Sequence, residues 1–161
     1  MNRTVAAFLL VLVLTGLLAA ASIGLAQKGY AFGTLGLARL DGLASAVTFI
    51  PLAAIYAFAG VLMMILPLRA AGFVHANAAT PVYSTTLVLV ATIVGVQAAR
   101  AAFGRHDALW TLVDWQFVFA LAIVAAHLAM NELRRNVLLR TLFFVIFIAA
   151  TLACLFWTFR L

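Results

Sequence analysis

Five apolar runs constrain this chain more than any other feature, because each is long enough to cross a bilayer as a helix. They cover Val5–Ala26, Gly42–Leu66, Val82–Phe103, Ala108–Met130 and Val137–Phe159. A helix needs about 20 apolar residues to span a hydrocarbon core about 30 Å thick. Within lipid a backbone must satisfy its own polar groups, so runs of this length read as helices. The expectation is an all-α, polytopic transmembrane helix bundle of about five spans, forming one integral membrane domain over residues 1–161.

Composition points the same way. The chain is 68% hydrophobic and 9% charged, where a soluble domain is about half apolar and a quarter charged. Too few polar side chains exist to cover a soluble surface. The amino terminus, Met1-Asn2-Arg3 before an apolar stretch, superficially resembles a secretory signal. Because its apolar run continues to Ala26, it reads as a retained first helix. The single Cys154 lies within an apolar run, which makes it a small buried hydrophobe with no disulfide or zinc site in prospect.

The net charge of +6 does not indicate nucleic-acid binding. The basic residues are dispersed, mostly beside the gaps between apolar runs, where they set orientation and meet lipid headgroups. Five spans put Arg3, Arg69, Arg134, Arg135 and Arg140 on the amino-terminal side, against Lys28, Arg39, Arg100, Arg105 and Arg160. The Arg134-Arg135 pair tips the reading to an amino terminus inside a bacterial-type inner (plasma) membrane. In that topology Tyr30, Trp110, Trp115 and Trp157 form an aromatic belt at the opposite interface.

The gaps differ in kind. Residues 27–41 and 67–81 form two connections able to lie along the interface as short helices, with Gly33 and Gly36 in the first and His75 in the second. Residues 104–107 and 131–136 are short turns, so the last three spans are antiparallel neighbours. Thr80-Pro81 is the expected start of the third helix and Asp107 the N-cap of the fourth.

Two small-residue stripes, Gly16, Ala20 and Gly24 on the first span and Ala91, Gly95 and Ala99 on the third, allow close helix packing. They serve either this chain's own bundle or a partner helix. Polar groups within spans are unfavourable and are functional candidates by default. Asp114 lies at a depth matched by Gln97 and Arg100 on the neighbouring span, so these three form one candidate cluster, for proton or cation handling or as a structural ion pair. Gln116, His127 and Asn131 share a stripe of the fourth span with Ala120 and Ile123, because eleven residues at 100° return to within about 20°. That stripe lines a pathway or holds a partner, whereas a solvated interfacial histidine is the plainer reading of His127. Pro51 frees a backbone carbonyl near Tyr56. His75 and His127 lie on one side of the membrane, the minimum for a haem held by two imidazoles, although His75 falls in a connecting segment. No metal motif is present.

These features favour a small integral membrane protein acting as a non-enzymatic subunit or accessory (assembly) protein of a membrane complex. Its expected partners are the lipid bilayer and other membrane subunits or a homo-oligomer, with no nucleic acid. The alternative is a small oligomeric transporter or channel using Asp114 and the Gln116/His127 face. A haem-binding redox subunit is a third reading.

Overall fold

The computed structural model describes residues 2–43, 46–113 and 115–159, and every element among them is helical. In chain order these are α1 (Arg3–Gln27), α2 (Ala31–Leu43), α3 (Ala46–Ile65), α4 (Leu68–Val74), a π-helical turn (His75–Ala79), α5 (Thr80–Ala102), a 3-10 helix (His106–Val113), α6 (Trp115–Arg135) and α7 (Val137–Phe159). Two of the described helices are long and apolar enough to cross a membrane: Arg3–Gln27, and the continuous helix Arg69–Ala102 formed by α4, the π turn and α5.

Local chemistry explains most boundaries. Asn2 caps α1 through its side chain to the Thr4 amide, and Asn136 caps α7 by accepting from the amides of Leu138 and Leu139 at 3.1 and 3.2 Å; each satisfies donors orphaned at a helix start. Helices α1 and α5 end alike. Gly29 and Gly104 adopt φ of +84° and +88°, and the following amides, of Tyr30 and Arg105, bond back to the carbonyls of Leu25 and Arg100. This is the Schellman arrangement, in which a glycine takes the left-handed position without a Cβ clash. Threonine hydroxyls within the helices are satisfied by their own backbones: Thr15 bonds to the Val11 carbonyl, Thr86 to Val82 and Thr92 to Val88, each within 2.8 Å. Such back-bonding uses the hydroxyl proton within the helix and leaves each oxygen to act only as an acceptor.

Three segments depart from the sequence expectations. Thr80-Pro81 does open α5, but not from a loop: the preceding chain is already helical and runs into it through one widened turn. The Thr80 amide and its hydroxyl both bond to the His75 carbonyl, the hydroxyl at 2.9 Å. This wider i→i+5 turn accommodates a ring at position 81 that would press on a carbonyl in a regular α-helix. Asp107 does not cap an α-helix either. It lies in the first turn of the 3-10 helix, beside Arg105 at 3.7 Å, and α6 begins only at Trp115. The connection after α1 is itself helix α2, folded back on α1. Gly33 and Gly36 are its contact positions, since a Cβ on Gly33 would overlap the backbone of Ser22 and Ala26, and one on Gly36 would come within 2.9 Å of the Ser22 hydroxyl.

The chain divides into two compact units, one comprising residues 1–45 and 87–117 and the other residues 46–86 and 118–161. In the first, Gly16 on α1 meets Gly95 on α5 backbone to backbone, and a Cβ on Gly95 would overlap the Thr15 hydroxyl and the Leu12 carbonyl. Ala19, Val96 and Ala99 continue this seam as a buried cluster, with Ala20, Ile23 and Leu40 packed on it. The small-residue stripes thus supply packing inside the chain at Gly16, Ala20, Gly95 and Ala99; Ala91 is also buried, while Gly24 has open space around it. In the second unit α3 packs on α7, and Gly60 leaves the room that the Phe144 ring fills.

Candidate functional site

The second unit concentrates its aromatic and imidazole chemistry around His127. Tyr56 arises from α3, where it is fully buried. His75 opens the π turn, Tyr83 lies on α5, and His127 lies on the buried stripe of α6 with Ala120 and Ile123. The His127 ring stacks on Tyr83, with centroids 4.1 Å apart and planes 11° from parallel. It also stacks on His75 at 5.0 Å and 10°. His75 and Tyr83 are eight residues apart on one helix, and both rings lie nearly parallel to that of His127. The Tyr56 hydroxyl approaches His127 Nδ1 at 3.4 Å, with the two rings edge to face.

The π turn makes this arrangement possible. Eight residues of regular α-helix turn through about 800°, leaving His75 and Tyr83 about 80° out of phase. One extra residue accommodated in a π turn removes about 100°, which brings both side chains to within about 20° of one face. π turns of this sort recur at functional sites. His127 is therefore held within the helix packing among three rings, and His75 lies in a helix rather than a loop.

The geometry does not fit a haem between the two histidines. Axial imidazoles approach an iron edge-on from opposite faces of the macrocycle, whereas these rings face each other directly and leave no slot for a porphyrin. What the cluster offers is a proton donor and acceptor network: a phenol on one imidazole nitrogen, and a second imidazole within stacking distance.

The first unit holds a separate polar group. Arg100 is paired with Asp41 of α2 through a charge-assisted hydrogen bond. Gln97, one turn earlier on α5, is 2% exposed, and its Oε1 has no hydrogen-bond partner among the described residues. Asp114, expected beside these two residues, lies outside the described residues, as do the side chains of Gln116 and Asn131. Of the expected aromatic belt, Tyr30 and Trp110 are strongly exposed.

Sequence reasoning named Gln97, Arg100 and His127 but missed Tyr83 and Asp41. Asp41 gave a signal only as an acid beside an apolar run, and nothing in the sequence linked it to Arg100, 59 residues away. Tyr83 had none, because its phase depends on the π turn. No protein family, characterised protein or solved structure matches this chain.

Proposed function

We propose that this chain is an integral membrane protein of about five membrane-crossing helices that works as a non-enzymatic subunit or accessory protein of a membrane complex. The observation that carries this reading is the direction in which its apolar side chains point. On α1, Leu10, Leu14, Leu17 and Leu18 are 56–63% exposed, on a helix long enough to span. Leu121 and Leu128 on α6 and Leu138, Val145 and Ile146 on α7 are likewise exposed. Outward apolar faces of this extent suit lipid or a partner helix and would drive aggregation in water. At 1.5 Å per residue, α3, α6 and α7, of 20, 21 and 23 residues, reach about 30 Å or more, which supports the count of five.

Native mass spectrometry after gentle extraction tests the subunit reading. Stable association with other membrane proteins is expected, and a lone chain or pure homo-oligomer would contradict it. The His127 cluster favours a second reading, a transporter in which Tyr56 and His127 pass a proton through the bundle. Under that reading His127→Gln abolishes pH-driven flux in proteoliposomes while leaving the chain folded. Flux that is absent from the wild type rejects it.

A further inference from the structure

We propose that the first unit carries a binding cleft for a phospholipid headgroup bearing both a phosphate and a primary ammonium group. This rests on the membrane reading above and extends it to a named class of ligand.

The cleft has a volume of about 460 Å³ and is lined by residues of α1, α2, the end of α5 and the turn that follows it, within the range of about 300–1,000 Å³ typical of ligand sites. Helices α1 and α5 run parallel here: Gly16 meets Gly95, Ala19 packs with Val96 and Ala99, and Ile23 and Phe103 both face the cleft. Each helix terminates at the cleft, α1 at Gln27 and α5 at Ala102. Two spanning helices that end together place their ends at one membrane–water boundary, the depth of headgroups.

The lining is divided by chemistry. Ile23, Leu37 and Phe103 form an apolar wall suited to the start of an acyl chain, while Asp41, Arg100 and Arg105 supply the charges. Arg105 is 69% exposed, and its contact with Asp107 at 3.7 Å is long and solvated, so that pairing is weak and the guanidinium is available to a phosphate. Arg100 engages one carboxylate oxygen of Asp41. The Asp41 side chain is half exposed and, having two oxygens, retains capacity to accept from an ammonium. The ends of α1 and α5 each add about half a negative charge, which favours a cationic group beside them. An acid, two helix C-termini and two guanidiniums complement a zwitterion better than a simple anion. A primary ammonium can donate hydrogen bonds to Asp41, and a quaternary one cannot.

The experiment uses the full chain, delipidated in detergent and titrated by native mass spectrometry with phosphatidylethanolamine, phosphatidylcholine or phosphatidylglycerol, and with water-soluble glycerophosphoethanolamine. Phosphatidylethanolamine should bind roughly tenfold more tightly than phosphatidylcholine, the increment of one charge-assisted hydrogen bond. Asp41→Asn should erase that preference and leave phosphatidylglycerol binding in place. Arg105→Gln, a change at an exposed side chain, should weaken both lipids together. Equal binding of phosphatidylethanolamine and phosphatidylcholine overturns the proposal, as does unchanged lipid binding by Arg105→Gln, which stands as the test should Asp41→Asn fail to fold. Competition by glycerophosphoethanolamine as effective as the lipid would overturn the lipid as the source of the headgroup. Release of the chain from membranes by alkaline carbonate contradicts the membrane reading itself, whereas a carbonate-resistant chain without headgroup selectivity contradicts only the cleft.

Discussion

Single residues decide how closely this chain's helices approach and what its polar groups touch. Gly95 is the sharpest case. Any side chain there meets the Thr15 hydroxyl and the Leu12 carbonyl of α1, and backbone cannot swing aside as a flexible side chain does. Gly95→Leu should therefore destabilise the protein by at least ~1–3 kcal/mol, the usual cost of overpacking, read as a lower midpoint in denaturant titration of the micellar protein. Gly24→Leu, made on the same stripe where space is open, should change that midpoint little. At the candidate site, Tyr56→Phe removes the hydroxyl from His127 Nδ1. Because the contact is 3.4 Å long, its own share of the loss should fall near the low end of the ~0.5–1.5 kcal/mol typical of one hydrogen bond, with the His127 ring resonances shifted in NMR spectra. The stripe positions Gly16 and Gly95 were legible in the sequence because small residues at four-residue spacing have one common use in helices. Asp41–Arg100 and Tyr83–His127 were not, since pairs separated by tens of residues are set by tertiary packing and leave no local pattern.

Elements were legible in proportion to the strength of their end signals. Helix α7 spans Val137–Phe159, the run read from sequence, because Asn136 is a strong cap. Helix α1 ends at Gln27 because Gly29 follows. Where capping signals misled, boundaries moved: Asp107 carries the chemistry of a helix start, yet it opens a 3-10 helix and α6 begins only at Trp115, while α5 does begin at Thr80 but as the continuation of a π turn. An all-apolar segment offers little amphipathic periodicity to correct such errors. The π turn His75–Ala79 is the element with most consequence for the site. Treated as an α-helix with one residue inserted, it makes a specific prediction. Deleting Ala78 should convert it to regular α-helix, keep His75 and Tyr83 within about 20° of one face, and preserve folding. Deleting Ala98 from the regular part of α5 should instead rotate Ala99 and the residues after it by about 100° relative to Gly95 and Val96, take Ala99 off its seam with Ala19 and destabilise the fold. Circular dichroism with size-exclusion chromatography of the two variants distinguishes these outcomes, and equal tolerance of both deletions would contradict the role given to the π turn.

For the whole molecule, the all-α class was fully readable, because apolar runs of this length leave a backbone few other ways to satisfy itself. The number of spans was only partly so. Two helices meet the length and hydropathy a span requires among the described residues, and α3, α6 and α7 contribute shorter apolar stretches. The candidate site was least readable, since it is built from a histidine in a π turn, two tyrosines and a second histidine that no sequence motif links. The account depends first on the outward apolar faces meeting lipid. The most direct test is alkaline carbonate extraction of membranes from cells expressing the full chain. The account predicts that the protein stays in the membrane pellet and leaves it only with detergent. Recovery of folded protein in the carbonate supernatant would contradict it.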